Sequence, residues 1–177
     1  MLKKILLALI ALIVIFAIVV TMQPASYRIL RSVKIAAPPA TVFAQVNDFH
    51  KWDAWSPWAK LDPTMKTTFE GPDSGTGAIY KWVGNKDVGE GQMTLLESKP
   101  NELVRIKLQF LKPFADICDT EFTFKPDGDQ TTVTWTMSGE RNFVAKAVCM
   151  FMNMDKMVGG DFEKGLAKLK ANSEAKK

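Results

Sequence analysis

Histidine occurs once in the 177 residues, at His50, so any chemistry that needs two histidines is excluded. Cysteine occurs twice, at Cys118 and Cys149. They lie too far apart for a zinc knuckle or a redox CxxC pair. With one histidine and no clustered thiolates, no metal site and no cofactor is called for. Unbalanced charge is also lacking. Lys+Arg number 23 against 19 Asp+Glu, a net charge of +4. Lys3, Lys4, Lys176 and Lys177 at the two ends account for that excess. The stretch between them is close to neutral and has no basic stripe to neutralise phosphates, which excludes nucleic acid as a partner. Internal repeats and low-complexity blocks are absent as well.

What the chain does have is one unbroken apolar run, Ile5–Val20. Without it the remainder is roughly 42% apolar, ordinary for one folded domain. As a helix, 5–22 is about 27 Å long, close to a bilayer's hydrocarbon thickness of about 30 Å. The run exceeds a typical signal-peptide core, and Thr21-Met22-Gln23-Pro24-Ala25 offers no Ala-x-Ala cleavage site. Residues 1–24 therefore read as an uncleaved single-pass membrane anchor, a signal segment being the alternative. Lys3 and Lys4 favour a cytoplasmic N-terminus, while Arg28, Arg31 and Lys34 weaken that bias. The expected location of the globular domain is extracytoplasmic.

Residues 25–27 read as a linker, 28–172 as one domain and 173–177 as a polar tail. Alternation predicts a strand at 28–36. Pro38-Pro39 then opens a short helix carrying Val42, Phe43, Val46 and Phe49. A tryptophan-rich piece follows, with Trp52, Trp55 and Trp58. Beyond Pro63 the period is two, predicting strands at 65–70, 76–83, 88–98, 102–110, 117–125 and 130–139. Short Gly/Pro/Asn/Asp connections separate them, so the sheet is an antiparallel meander. From Phe143 the period returns to 3.6. Ala147, Phe151, Met154, Val158, Phe162, Leu166 and Leu169 form the apolar stripe of one long C-terminal helix, with Gly159-Gly160 expected to weaken or bend it. A twisted sheet of this size curls, and the helix must cover its concave face. The fold class is α+β.

Several stretches carry a family likeness. They are Val33-Lys34-Ile35-Ala36-Ala37-Pro38-Pro39-Ala40-Thr41-Val42-Phe43, Trp52-Asp53-Ala54-Trp55-Ser56-Pro57-Trp58, Gly75-Thr76-Gly77-Ala78-Ile79-Tyr80-Lys81-Trp82 and Asp161-Phe162-Glu163-Lys164-Gly165-Leu166. Together with the order of elements, 28–172 resembles the SRPBCC superfamily of START-like and polyketide cyclase/dehydrase-like domains. The resemblance implies a helix-grip fold, a curved antiparallel sheet wrapped around the C-terminal helix with an apolar cavity between them. The N-terminal transmembrane helix is an addition to that domain.

Strand parity then names an inward wall: Ala78, Tyr80 and Trp82; Met93 and Leu95; Val104, Ile106, Leu108 and Phe110; Cys118, Thr120, Phe122 and Phe124; Val133, Trp135 and Met137. The candidate ligand contacts are Tyr80, Trp82, Met93, Ile106, Leu108, Phe122, Phe124, Trp135 and Met137, with Met150 and Met154 from the helix. Tyr80 and Trp135 supply polar handles in an apolar wall, and the thioethers suit varied ligands. The competing reading of the same residues is a filled core. The Trp52–Trp55–Trp58 triplet rims a pocket, touches a membrane interface, or packs as a lid over the sheet's open end.

Catalytic candidates are poor. His50 has Asp53 as its one nearby carboxylate in that reading. Asp119, Glu121, Arg105 and Lys107 take outward parity. Cys118 and Cys149 are expected as free buried thiols, a disulfide being the alternative. The expected function is membrane-anchored binding of an apolar small molecule or lipid. An interaction module with a filled core is the first alternative. A cyclase-type enzyme using Tyr80, Glu90 or His50 is the second.

Overall fold

The computed structural model describes residues 1–175. Helix α1, Leu2–Met22, is long and apolar enough to cross a membrane. Strand β1, Ser26–Ile35, follows after three residues. Pro39 then starts helix α2, Pro39–Val46, at a position where a missing N–H costs nothing. A 3₁₀ helix, Phe49–Ala54, is capped by Asp48, whose carboxylate accepts from the His50 amide. Strands β2 (Lys66–Glu70), β3 (Ile79–Val83), β4 (Glu90–Lys99), β5 (Leu103–Lys112), β6 (Asp116–Asp127) and β7 (Gln130–Glu140) come next. Helices α3, Phe143–Cys149, and α4, Met154–Glu174, close the described chain.

All seven strands form one antiparallel sheet in the order β1-β7-β6-β5-β4-β3-β2. The meander is as expected, and β1 closes it by pairing with β7. Residues 76–78 fall outside β3 because Gly75 and Gly77 take positive φ of 79° and 94° in the preceding turn. Tyr27, placed in the linker by sequence, belongs to β1 and pairs with Gly139.

The C-terminal region departs most from expectation. It is two helices, not one. Asn142 caps α3 by accepting from the Ala145 amide, and Asn153 caps α4 by accepting from the Lys156 amide, each at 2.9 Å. A second capping asparagine inside the apolar period starts a new helix there. The break turns Phe151 out to 79% exposure, whereas Phe162, Leu166 and Leu169 stay buried. Gly159-Gly160 does not interrupt α4, which also takes in Ser173 and Glu174, assigned to the tail by sequence. Of that tail, 176–177 lie outside the described residues.

Helix α4 runs along β1 from its middle to its end. The Arg31 guanidinium donates to Asp155 and Glu163 at 3.0 and 2.7 Å, and Glu174 accepts from the Ala36 amide at 2.7 Å. The core lies between this helix, α2, the 3₁₀ helix and the concave sheet face.

Candidate functional site

The concave face is built from inward side chains set side by side across the strands by their pairing register. One row reads Arg31, Trp135, Phe122 and Val104. The next reads Ile29, Met137, Thr120, Ile106 and Leu95. A third reads Tyr27, Gly139, Cys118, Leu108, Met93 and Tyr80.

The first row is filled. Phe162 of α4 stacks on Trp135 with centroids 4.0 Å apart and planes 6° from parallel. Trp55 and Trp58 meet the Trp135 ring edge-on at 5.7 and 5.8 Å. Trp52 and Trp55 donate their indole N–H groups to the carbonyls of Val46 and Gln45, satisfying the C-terminal end of α2. The tryptophan triplet is thus a lid packed over this part of the sheet. Phe124 belongs to the same filled region, edge-on to Phe43 at 5.5 Å.

Toward the opposite end of the sheet the wall loosens. Val104, Ile106, Phe122 and Val133 are 0% exposed, whereas Trp82, Met93, Leu108 and Met137 retain 7–9%. Tyr80 and Phe110 are half-buried against the core. Gly91 lets the Trp82 ring cross β4: a Cβ there would lie 2.4 Å from that ring and 2.5 Å from the Gln109 carbonyl.

The polar groups on this wall are neutral. Burial pushes the Tyr27 hydroxyl up, and burial likewise pushes the Cys118 thiol to about 12. Burial, with Asp53 adding to it, also raises Tyr80. The Thr120 hydroxyl and the Trp135 indole N–H are buried without a hydrogen-bond partner. Such a surface favours an uncharged apolar molecule and offers it a few hydrogen-bonding groups.

Of the residues proposed from sequence, Tyr80, Trp82, Met93, Ile106, Leu108, Phe122, Phe124, Trp135 and Met137 all face this core, and Met154 packs against it. Met150 does not. It sits at the α3–α4 junction, 38% exposed, because the helix breaks there. It lines a surface concavity of about 480 Å³ with Arg141, Cys149, Phe151, Met152, Asn153, Met154 and Asp155. Met154 therefore touches both that concavity and the core.

The sequence reading missed Tyr27, because Gln23–Tyr27 looked like a linker. Gly139 was its signal: a Cβ there would meet the Tyr27 hydroxyl at 2.9 Å. His50 pairs with Asp48 at 3.1 Å, not with Asp53, and stacks on Phe69 at 4.0 Å. Glu90 is held by Lys112 at 2.7 Å. Arg105 bridges Glu97 and Glu121 on the convex face. No cluster of potential metal ligands occurs among the described residues. Both cysteines are free, Cys118 buried and Cys149 partly so.

Residues 27–174 match the family model described as polyketide cyclase/dehydrase and lipid transport. No curated protein matches the chain in sequence. Solved structures share the fold. A solution structure of a Thermobifida fusca protein aligns with TM-score 0.62 and 23% identity, covering 82% of this chain and 92% of that one. Protein CV1439 of Chromobacterium violaceum aligns with TM-score 0.55 and 19% identity over 85% and 99% of the two chains. Ara h 8.0201 aligns with TM-score 0.56 and 10% identity, again over 85% and 99%.

Proposed function

The chain belongs to the polyketide cyclase/dehydrase and lipid transport family, and on that premise we propose that it binds an uncharged hydrophobic small molecule or lipid on its concave sheet face while α1 tethers it to a membrane. The observation that carries this reading is the row Tyr27–Cys118–Leu108–Met93–Tyr80. Its middle is apolar, neutral hydroxyl and thiol groups stand toward its ends, and it lies where the wall loosens.

The tether supports the reading because it keeps the domain beside the bilayer in which apolar ligands partition. An anchored N-terminus on the cytoplasmic side places the domain outside that membrane, as Lys3 and Lys4 favour. The role is binding without catalysis: His50 pairs with Asp48 and stacks on Phe69, and no His–carboxylate pair lies on the concave face among the described residues. A filled-core interaction module is the second reading, favoured by the Trp135–Phe162 stack, which fills the first row at Trp135.

Photocrosslinking tests the proposal. Full-length protein in vesicles containing a diazirine-bearing fatty acid is irradiated and its labelled peptides are mapped. Labels on β4 and β5 near Met93 and Leu108 support the concave site. Labels confined to α1 and the outer surface overturn it.

A further inference from the structure

The outer side of α3 is apolar and uncovered. Val144 and Val148 lie one turn apart at 64% and 46% exposure, and Phe151, three positions on, is 79% exposed. Leu111 and Phe114, in the β5–β6 hairpin, are 57% and 80% exposed. The pairing register puts these groups at one end of the sheet. Phe110 pairs with Asp116, Cys118 with Gly139, and Glu140 with Ser26, the first residue of β1. This is the end at which α1 joins the domain.

Two observations tie that end to the bilayer. First, only Gln23–Ala25 separate α1 from β1, a tether of about 14 Å at most. Second, the Phe151 ring lies 6.5 Å from Phe16 of α1, 24° from parallel. Phe16 is six residues before Met22, or about 9 Å back along the helix axis. With α1 spanning the hydrocarbon, a contact at Phe16 sits below the level where the helix emerges. Val20 on the same helix is fully buried while most of α1 is exposed, and α1 packs against α3.

We infer that α3 and the β5–β6 tip form a bilayer-docking face, with Val144, Val148, Phe151, Leu111 and Phe114 inserted among lipid acyl chains beside α1. This rests on α1 being a membrane span. It orients the domain with the concavity at the α3–α4 junction facing lipid. That concavity borders Met154, which also packs on the core, so the docking face adjoins the helix that covers the concave sheet. Burial of apolar side chains at the interface holds such a face down.

Spin labels read the depth directly. Full-length protein carrying Cys149→Ser is labelled singly at Leu9→Cys, Phe114→Cys, Phe151→Cys or Asp129→Cys and reconstituted in vesicles of phosphatidylethanolamine and phosphatidylglycerol. Asp129 lies in the β6–β7 turn at the far end of the sheet. Collision rates with oxygen and with a water-soluble nickel chelate are compared. The oxygen-to-nickel ratio is expected to be severalfold higher at 9, 114 and 151 than at 129. A high ratio at 9 with water-like values at 114 and 151 overturns the docking face and leaves the anchor standing. Labels at 114 and 151 shielded from both reagents show a protein contact in place of lipid and overturn it equally. A water-like value at 9 overturns the anchor and the docking face together.

Discussion

Phe162 of α4 lies flat on the indole of Trp135, with centroids 4.0 Å apart and planes 6° from parallel. Both rings are essentially fully buried, and Trp55, Trp58 and Phe122 surround the Trp135 indole. This stack locks the C-terminal helix to β7, beside the β1 edge of the sheet. Gly165, one turn on, makes room for it: a Cβ there would meet Trp135 at 2.9 Å and Pro57 at 3.0 Å.

Phe162→Ala should accordingly destabilise the domain by about 3–5 kcal/mol, the usual range for deleting a buried aromatic. Thr134→Ala, which removes only an outward hydroxyl that hydrogen-bonds with Ser32, should cost about 1 kcal/mol. Urea unfolding followed by tryptophan emission separates the two. Equal midpoints would show that the stack contributes little.

Gly159 and Arg31 are coupled. A Cβ at 159 would lie 2.1 Å from the Arg31 guanidinium, which binds Asp155 and Glu163 from beneath α4. In the Arg31→Ala background, Gly159→Ala should stabilise by about 1 kcal/mol, the helix-propensity difference. In the wild-type background that gain should vanish, because the displaced arginine loses its ion pairs. A double-mutant cycle measures the coupling, and additive changes would contradict the close approach.

The fold's pH limits follow from named groups. Hydrogen bonds from Thr64, from Lys34 and from Arg31 hold Asp62, Asp127 and Asp155 respectively below the usual carboxylate range. A depressed acid stabilises the fold above its unfolded pKa, and that contribution is lost as pH falls through its folded value. Stability should therefore decline below about pH 4. Cys118 behaves oppositely. Its thiol is raised from 9.0 to about 12, so its contribution is present below 9 and lost as pH climbs from 9 toward 12. Thiol titration of unreduced protein at pH 8 should find Cys149 reactive in the native state and both thiols only after unfolding. Equal native reactivity of the two would show that Cys118 is not buried.

Most of the fold was legible in the sequence because period-two alternation and turn residues fix strands and their parity together. Every inward position from Ala78 to Met137 proposed on that basis faces the concave side or packs against it. The C-terminal break was not legible because Phe151 and Met154 keep helical spacing across it. Only the capping role of Asn153 marks the boundary, and an asparagine within an apolar period is ambiguous until its side chain is seen to accept from the Lys156 amide. Tyr27 was lost to a linker because three residues after Pro24 it shows no period. Its partner, Gly139, sits far away in sequence. The division between a filled row at Trp135 and a looser one at Leu108 depends on how α4 crosses the sheet, which no local pattern encodes.

The most direct test of the ligand-binding account is native mass spectrometry of the full-length chain released from lipid nanodiscs, compared with Leu108→Trp, which adds bulk in the looser row. The account predicts a single apolar molecule retained by the wild type and absent from Leu108→Trp at unchanged native charge states. A wild-type chain that emerges without any bound molecule, or a Leu108→Trp variant that retains the same one, would contradict it.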